Sequence, residues 1–126
     1  MANEFVVKDS GKRQEFDTGM VRDTQTDKPR FDLLIMEGVP FEEQLLTRLA
    51  VHLMRGATKY SARNHEKSQT QDELDRFKAS ALRHIIQWAC GDADEDHASS
   101  TIFNLLGYET CKYKMNKNKN NEEIPF

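Results

Sequence analysis

Residues 70 to 97 read T-Q-D-E-L-D-R-F-K-A-S-A-L-R-H-I-I-Q-W-A-C-G-D-A-D-E-D-H. Thr70 followed three residues later by Glu73 has the form of a capping box, in which two side chains satisfy first-turn amides that have no partner inside the helix. Behind it Leu74, Phe77, Ala81, Ile85 and Trp88 recur at helical spacing. Leu82, Ile86 and Ala89 widen that stripe to about half the cylinder at about 100° per residue. A face that wide meets two neighbours, so this is the central helix. Gly91 suits the position just past a helix end, where a residue without a Cβ adopts the left-handed conformation freely. Asp92 or Asp94 can cap the helix that follows. That helix, roughly residues 98 to 113, offers Ile102, Leu105, Leu106 and Tyr113 as its apolar face. A connection this short makes the two helices an antiparallel hairpin.

Working outward, the segment F-E-E-Q-L-L-T-R-L-A-V-H-L-M-R-G-A at 41 to 57 is a further helix. Pro40 suits its first position, Glu42 and Glu43 suit the positive end of its dipole, and Leu45, Leu46, Leu49, Ala50 and Leu53 form one apolar face. Gly56 can break it, or it can run one turn further through Lys59 and Tyr60. Residues 61 to 69 are polar and read as a loop. Residues 1 to 30 carry little apolar periodicity beyond Phe5, Val6 and Val7, and form an extended arm or loop. After Pro29 the run F-D-L-L-I-M is a short strand or a helical turn. The tail from 115 to 126, rich in Lys and Asn, cannot build a core and is expected to be disordered. The fold expected is therefore all-α: a small helical bundle built on a central antiparallel hairpin. An arm over 1 to 30 precedes the helical domain over 31 to 114, and the tail follows.

Composition narrows the function classes. The 126 residues suffice for one small domain, and roughly 85 of them form its core, a size that buries only about 60% of its unfolded surface. A homo-oligomer is expected. A net charge of −3 with 31% charged residues excludes a glove for long nucleic acid and leaves phosphate binding to local clusters. Cys90 and Cys111 lack metal-finger spacing and fit a reducing, cytoplasmic setting. No apolar run approaches the length of about 18 residues that spans a bilayer, so no membrane partner is expected.

Three kinds of group gather between residues 55 and 97. Asp92, Asp94, Glu95, Asp96 and His97 fall within six positions, where clustered carboxylates hold a cation such as Mg²⁺, or else complement a helix dipole. Lys59, Tyr60, Arg63 and Asn64 form a compact set: the cations suit a triphosphate, the tyrosine a base, the asparagine a base or sugar edge. Lys28, Arg30 and Phe31 make a second set in the arm. His84 sits at the edge of the central helix's apolar face beside Arg83 and can act as acid, base or phosphate donor. Glu109 falls within the apolar face of the last helix, where a carboxylate needs a partner or a cation; Glu42 occupies a similar place on the first.

Four stretches, R-D-T-Q-T-D-K-P-R-F-D-L-L at 22 to 34, R-G-A-T-K-Y-S-A-R-N-H at 55 to 65, S-A-L-R-H at 80 to 84 and G-D-A-D-E-D-H at 91 to 97, together resemble the phage-encoded dATP/dGTP diphosphohydrolase N-terminal domain family. The resemblance implies a small α-helical domain acting on purine deoxynucleoside triphosphates, with Mg²⁺ or Mn²⁺, in the cytoplasm of an infected bacterium. It points to Lys28 and Arg30 in the arm, beside Phe31, and to Lys59, Tyr60, Arg63, Asn64 and Arg83 as nucleotide-binding residues. It also points to His84 and to Asp92, Asp94, Glu95, Asp96 and His97 in the turn; read as a hydrolase, the chain uses those five at the metal and His84, Asp94 and Glu95 in catalysis. The chain departs from the family pattern in having His65 where a tryptophan is usual and Ser100 where a second histidine often stands. The wider MazG-like pyrophosphatases carry a third acid where this chain has Leu46. Two expectations follow: a metal-dependent hydrolase releasing monophosphate and pyrophosphate, or a non-catalytic binder that sequesters a host-defence signalling nucleotide of cyclic or ADP-ribose type.

Overall fold

The computed structural model describes residues 5–123, and the chain forms two compact units, one ending at Leu33 and the other beginning at Leu34. The first contains an antiparallel hairpin, β1 (Arg13–Glu15) and β2 (Val21–Asp23), with Arg13 opposite Asp23 and Glu15 opposite Val21. Phe16 N–H donates to the Met20 carbonyl at 2.8 Å, and Gly19 turns the chain at φ 87°, a conformation that a Cβ would penalise. The Asp23 carboxylate gathers the unit: it accepts from the Ser10 amide at 3.3 Å and from the Ser10 hydroxyl, and it lies 3.6 Å from Arg13 and 3.5 Å from Lys28. Strands of three residues are too short to show alternation, so composition alone reads them as extended arm. Residues Phe31–Leu34 form a 3-10 turn, which settles strand against turn for that run.

The second unit is all-α, as expected: α1 (Leu45–Lys59), α2 (Gln71–Ala89) and α3 (His97–Glu123), with 3-10 turns at Phe41–Glu43 and Asn64–Lys67. The first helix begins later than Pro40 because Gln44 leaves the helical region at ψ 136°. Its buried side chain accepts from the Met36 amide and donates to the Met36 and Val39 carbonyls, all at 2.7 Å. That clip holds residues 36–39 against the start of α1. At the head of α2 the Glu73 amide donates to Thr70 Oγ1 at 3.3 Å, and Glu73 reaches back to the Gln69 amide at 3.1 Å, one residue before the cap. Its end is closed by Gly91 N–H on the Trp88 carbonyl and Asp92 N–H on the Gln87 carbonyl, with Gly91 at φ 80°. This is the paired bonding of a Schellman end.

Contacts along α2 and α3 run in opposite directions. Thr70 lies by Cys111, Phe77 by Gly107 and His84 by His97, so the pair is the expected antiparallel hairpin. A Cβ on Gly107 would stand 2.7 and 2.8 Å from Phe77 ring atoms; the glycine is what lets that ring lie on the helix backbone. Helix α1 runs beside the first half of α3 in the same sense, with Arg48 at Asp96 and His52 at Phe103.

The packed faces differ from those expected. Leu82 and Ile86 of α2 are 56% and 61% exposed, Leu105 and Tyr113 of α3 are 52% and 67% exposed, and Ile85, Trp88 and Leu106 are exposed as well. Of the expected α2 face Leu74 and Ala81 are buried, and with them His84, against His97, Ser100, Thr101, Asn104 and Cys111 of α3. The intramolecular contact uses small and polar residues whose groups are satisfied locally. Thr101 Oγ1 donates to the His97 carbonyl and Asn104 Nδ2 to the Ser100 carbonyl, each at 2.7 Å. Among the described elements α3 is the one that packs extensively on α2. The C-terminal expectation also changes: α3 continues through residues 115 to 123. Asn118 Nδ2 reaches Gln69 Oε1 at 2.9 Å and the Lys114 ammonium donates to the Glu66 carbonyl, so the helix has local partners where composition suggested none. Residues 124 to 126 of the expected tail lie outside the described residues.

Candidate functional site

An open cleft of about 1270 Å³ lies within the second unit, bounded by the C-terminal half of α1, the loop that follows it, and the α2–α3 turn. Its wall takes Lys59, Tyr60, Arg63 and Asn64 from one stretch and Asp94 and Glu95 from the other. Phe103 of α3 supplies an apolar floor, with the His52 and His65 rings at centroid distances of 4.9 and 5.4 Å. Burial holds His52 below the ordinary histidine range.

Local chemistry shapes the basic wall. Helix α1 closes on the Tyr60 amide donating to the Gly56 carbonyl at 2.9 Å. Arg63 then adopts φ 60°, a left-handed conformation, and turns the chain into the short helix at 64–67. Its guanidinium meets Glu66 at 2.8 Å, and the Ser68 hydroxyl donates to the His65 carbonyl at 2.8 Å. The Lys59 ammonium stands 5.1 Å from the centre of the exposed Tyr60 ring. A non-glycine residue with positive φ is a strained position, and such positions concentrate where a side chain must be aimed.

On the acidic wall the helix cap is Asp96, not Asp92 or Asp94: its carboxylate accepts from the Ser99 amide at 3.1 Å and the Ser99 hydroxyl at 2.9 Å. Arg48 grips the same carboxylate through two bonds, at 2.8 and 2.7 Å. These donors, Arg48 first, hold Asp96 well below the usual carboxylate range. Asp96 is thereby committed, and the exposed Asp92, Asp94 and Glu95 remain for a cation. Behind them lies a hydrogen-bonded chain. His97 Nε2 meets Asp94 Oδ1 at 2.7 Å, His97 Nδ1 meets His84 Nδ1 at 2.9 Å, and Arg83 lies 3.3 Å from His84 Nε2. A carboxylate accepts, so His97 donates from Nε2 and accepts at Nδ1; His84 then donates from Nδ1 and accepts from Arg83 at Nε2. Each imidazole is neutral in that arrangement. Burial, followed by the charge on Arg83, accordingly lowers the pKa of His84, and the His97 bond lowers that of Asp94.

The structure brings together Lys59, Tyr60, Arg63, Asn64, Asp94, Glu95 and Asp96, and it adds Glu42. His84 and His97 are buried behind the turn, and Arg83 is exposed beside them and does not line the cleft. Glu109 is exposed, so it needs no cation. Lys28, Arg30 and Phe31 belong to the first unit, where Lys28 pairs with Asp23, Arg30 with Asp32 at 2.7 Å, and Phe31 is exposed. Sequence reasoning did not single out Arg48, His52, Phe103 or Asn104. Arg48 and Asp96 are 48 residues apart, and no local pattern signals such a pair.

Two groups have the donor chemistry for a divalent cation. One ligand atom from each of His84, Glu95 and His97, and likewise from each of Asp92, Asp94 and His97, lies within 4.8 Å of the others. Nitrogen and carboxylate together fit a cation of intermediate hardness. No helix among the described residues is long and apolar enough to cross a membrane. Comparison with curated proteins and with solved structures gives no match. A family model described as dATP/dGTP diphosphohydrolase, N-terminal, matches residues 18–121, which takes in the whole second unit up to the last turn of α3. With residues 22 to 34, the basic loop, the arginine-histidine pair and the acidic turn all inside that match, the chain belongs to the dATP/dGTP diphosphohydrolase N-terminal family.

Proposed function

We propose that this chain is a metal-dependent pyrophosphohydrolase of purine deoxynucleoside triphosphates, dATP or dGTP, yielding the monophosphate and pyrophosphate. The observation that carries the reading is the shared cleft: Lys59 and Arg63 line it together with Asp94 and Glu95. Phosphate oxygens need cations against them, and a cation bridging to phosphates needs carboxylates behind it. Lys59 and Arg63 bind and orient the phosphates, Tyr60 stacks on the base, and Asn64 reads an edge. A water oxygen attacks the α-phosphorus, the bond from that phosphorus to the bridging oxygen breaks, and pyrophosphate departs. The exposed carboxylate of Glu95 takes the proton of the attacking water. Asp92, Asp94 and His97, whose ligand atoms converge, would hold a divalent cation, and it would supply charge against the phosphates and acidify water. Arg48 and Asp96 position the turn that presents these groups.

The test is pyrophosphate release from dATP and dGTP with added Mg²⁺ or Mn²⁺. Release is expected from the native chain, with a fall of at least about a hundredfold in Glu95→Gln. Absence of release from any nucleoside triphosphate with either ion rejects the reading. One observation favours the non-catalytic alternative, capture of a signalling nucleotide: the bond from Arg48 removes Asp96 from the ligand pool. Binding that persists in EDTA, with the ligand recovered intact, would decide for that alternative.

A further inference from the structure

Outside the cleft wall lies a buried histidine pair, of which the proposed reaction uses only His97. His84 and His97 are 7% and 2% exposed, come from different helices, and face each other nitrogen to nitrogen at 2.9 Å. Each costs desolvation in a core that has only three buried apolar residues among those described, Leu74, Ala81 and Cys111. Helix packing does not require two imidazoles at that place.

We propose that His84 and His97, through their Nδ1 atoms, and the Glu95 carboxylate form a binding site for a first-row transition ion of the Mn²⁺ to Zn²⁺ series, in preference to Mg²⁺. Three features support it. Two nitrogens bound at about 2.0–2.1 Å to one ion, at right angles to each other, stand about 2.9 Å apart, which is the separation between these two atoms. Glu95 brings an oxygen within 4.8 Å of a ring nitrogen of each histidine, and it also lines the cleft, so a bound ion would face the solvent on one side only. His97 passes its other nitrogen to Asp94 at 2.7 Å, the carboxylate–histidine arrangement that fixes a metal-binding tautomer with its remote nitrogen protonated. Binding asks one adjustment: with Nδ1 on the ion, His84 carries its proton on Nε2, and the exposed Arg83 side chain turns aside. Two nitrogens and one oxygen suit ions of the Irving–Williams series, whereas Mg²⁺ takes oxygen alone and keeps much of its water. The inference places a transition ion at Glu95, beside the cation group of the reaction proposed above, and to that extent rests on that reading, but ion binding is measurable without turnover.

The experiment uses the full chain stripped with EDTA and titrated with Co²⁺ in the presence of excess Mg²⁺, followed by visible absorption and by calorimetry. The expected result is one Co²⁺ per chain, with ligand-field bands and no displacement by Mg²⁺. His84→Ala and His97→Ala should weaken binding at least about a hundredfold, and Asp94→Asn about tenfold. Circular dichroism checks that the variants remain helical. Should a histidine variant fail to fold, selective paramagnetic broadening of the His84 and His97 ring signals in the native chain tests the same point. Displacement of Co²⁺ by equal Mg²⁺, unchanged affinity in His84→Ala, or ring signals that ignore Co²⁺ would overturn the site and leave the pair as a hydrogen bond. Co²⁺ at the histidines without pyrophosphate release keeps the site and removes the reaction. Pyrophosphate release with Mg²⁺ from a chain whose histidines ignore Co²⁺ does the reverse.

Discussion

Arg63 is strained in its backbone and directed at the cleft in its side chain, and the two properties separate by substitution. Holding a non-glycine residue at φ 60° costs on the order of 1–2 kcal/mol, whereas glycine avoids that cost but gives the unfolded chain more freedom. Arg63→Gly should therefore leave stability unchanged or raise it by up to about 1 kcal/mol. It should also weaken nucleotide binding about tenfold, the worth of a charged hydrogen bond. Thermal melting and calorimetry on one preparation check both; a loss of stability would show the Glu66 pair outweighing the strain. His52 gives the pH counterpart. Burial against Phe103 keeps its folded-state pKa below the ordinary value, so the unfolded chain binds the extra proton first. The stability it contributes is complete above about pH 6.5 and is lost as pH falls from there toward the folded value. In His52→Gln the stability lost between pH 7 and pH 5 should be smaller than in the native chain, as urea unfolding at each pH will read. Arg63 was legible as a candidate phosphate ligand because a cation beside an aromatic is a local pattern. His52 was not, since its significance comes from a phenylalanine 51 positions away in the chain.

At the scale of elements, what local chemistry dictates was legible, and what depends on a partner was not. The Thr70 and Glu73 cap and the Gly91 stop can be read because their bonds close within a few residues. The cap of α3 was misassigned within its own turn. Three aspartates compete for it, and the contact that selects Asp96 comes from Arg48 on another helix. Asp96 performs two tasks that substitution separates. Asn caps as well as Asp but carries no charge, so Asp96→Asn loses only the Arg48 pair, partly exposed and worth about 0.5–1 kcal/mol. Asp96→Ala should cost about 1 kcal/mol more. Equal losses in urea unfolding would mean that the cap contributes nothing. Gly107 shows the packing equivalent. Alanine favours a helix by about 1 kcal/mol over glycine, yet its Cβ would press into the Phe77 ring. Overpacking of that kind costs about 1–3 kcal/mol, so Gly107→Ala should show no gain in melting temperature, and Phe77→Leu beside it should restore the gain.

For the whole molecule, the apolar stripes read from the sequence exist, but much of those on α2 and α3 points outward. Hydrophobic period identifies a stripe without saying which neighbour covers it. The second unit closes its own hairpin with Ala81, His84, Ser100, Asn104 and Gly107, leaving Leu82, Ile85 and Ile86 on α2 and Leu105 and Tyr113 on α3 in contact with solvent. Burying a leucine or isoleucine fully is worth about 1.5–3 kcal/mol. Several side chains left exposed along 19-residue and 27-residue helices forgo more than the roughly 5 kcal/mol that holds a small domain folded. A second copy offers the same stripes, and a two-fold pairing sets each stripe against its equivalent. Self-association through α2 is the expected consequence. Sedimentation equilibrium of the native chain should give a mass at least twice that of the 126-residue protomer. The double substitution Leu82→Glu with Ile86→Glu should give the protomer mass with helical content retained, because neither residue packs within its own hairpin. If the native chain sediments as a protomer, the exposed stripes have some other role. If the double variant unfolds instead of dissociating, the hairpin lacks independent stability and exists only within the assembly.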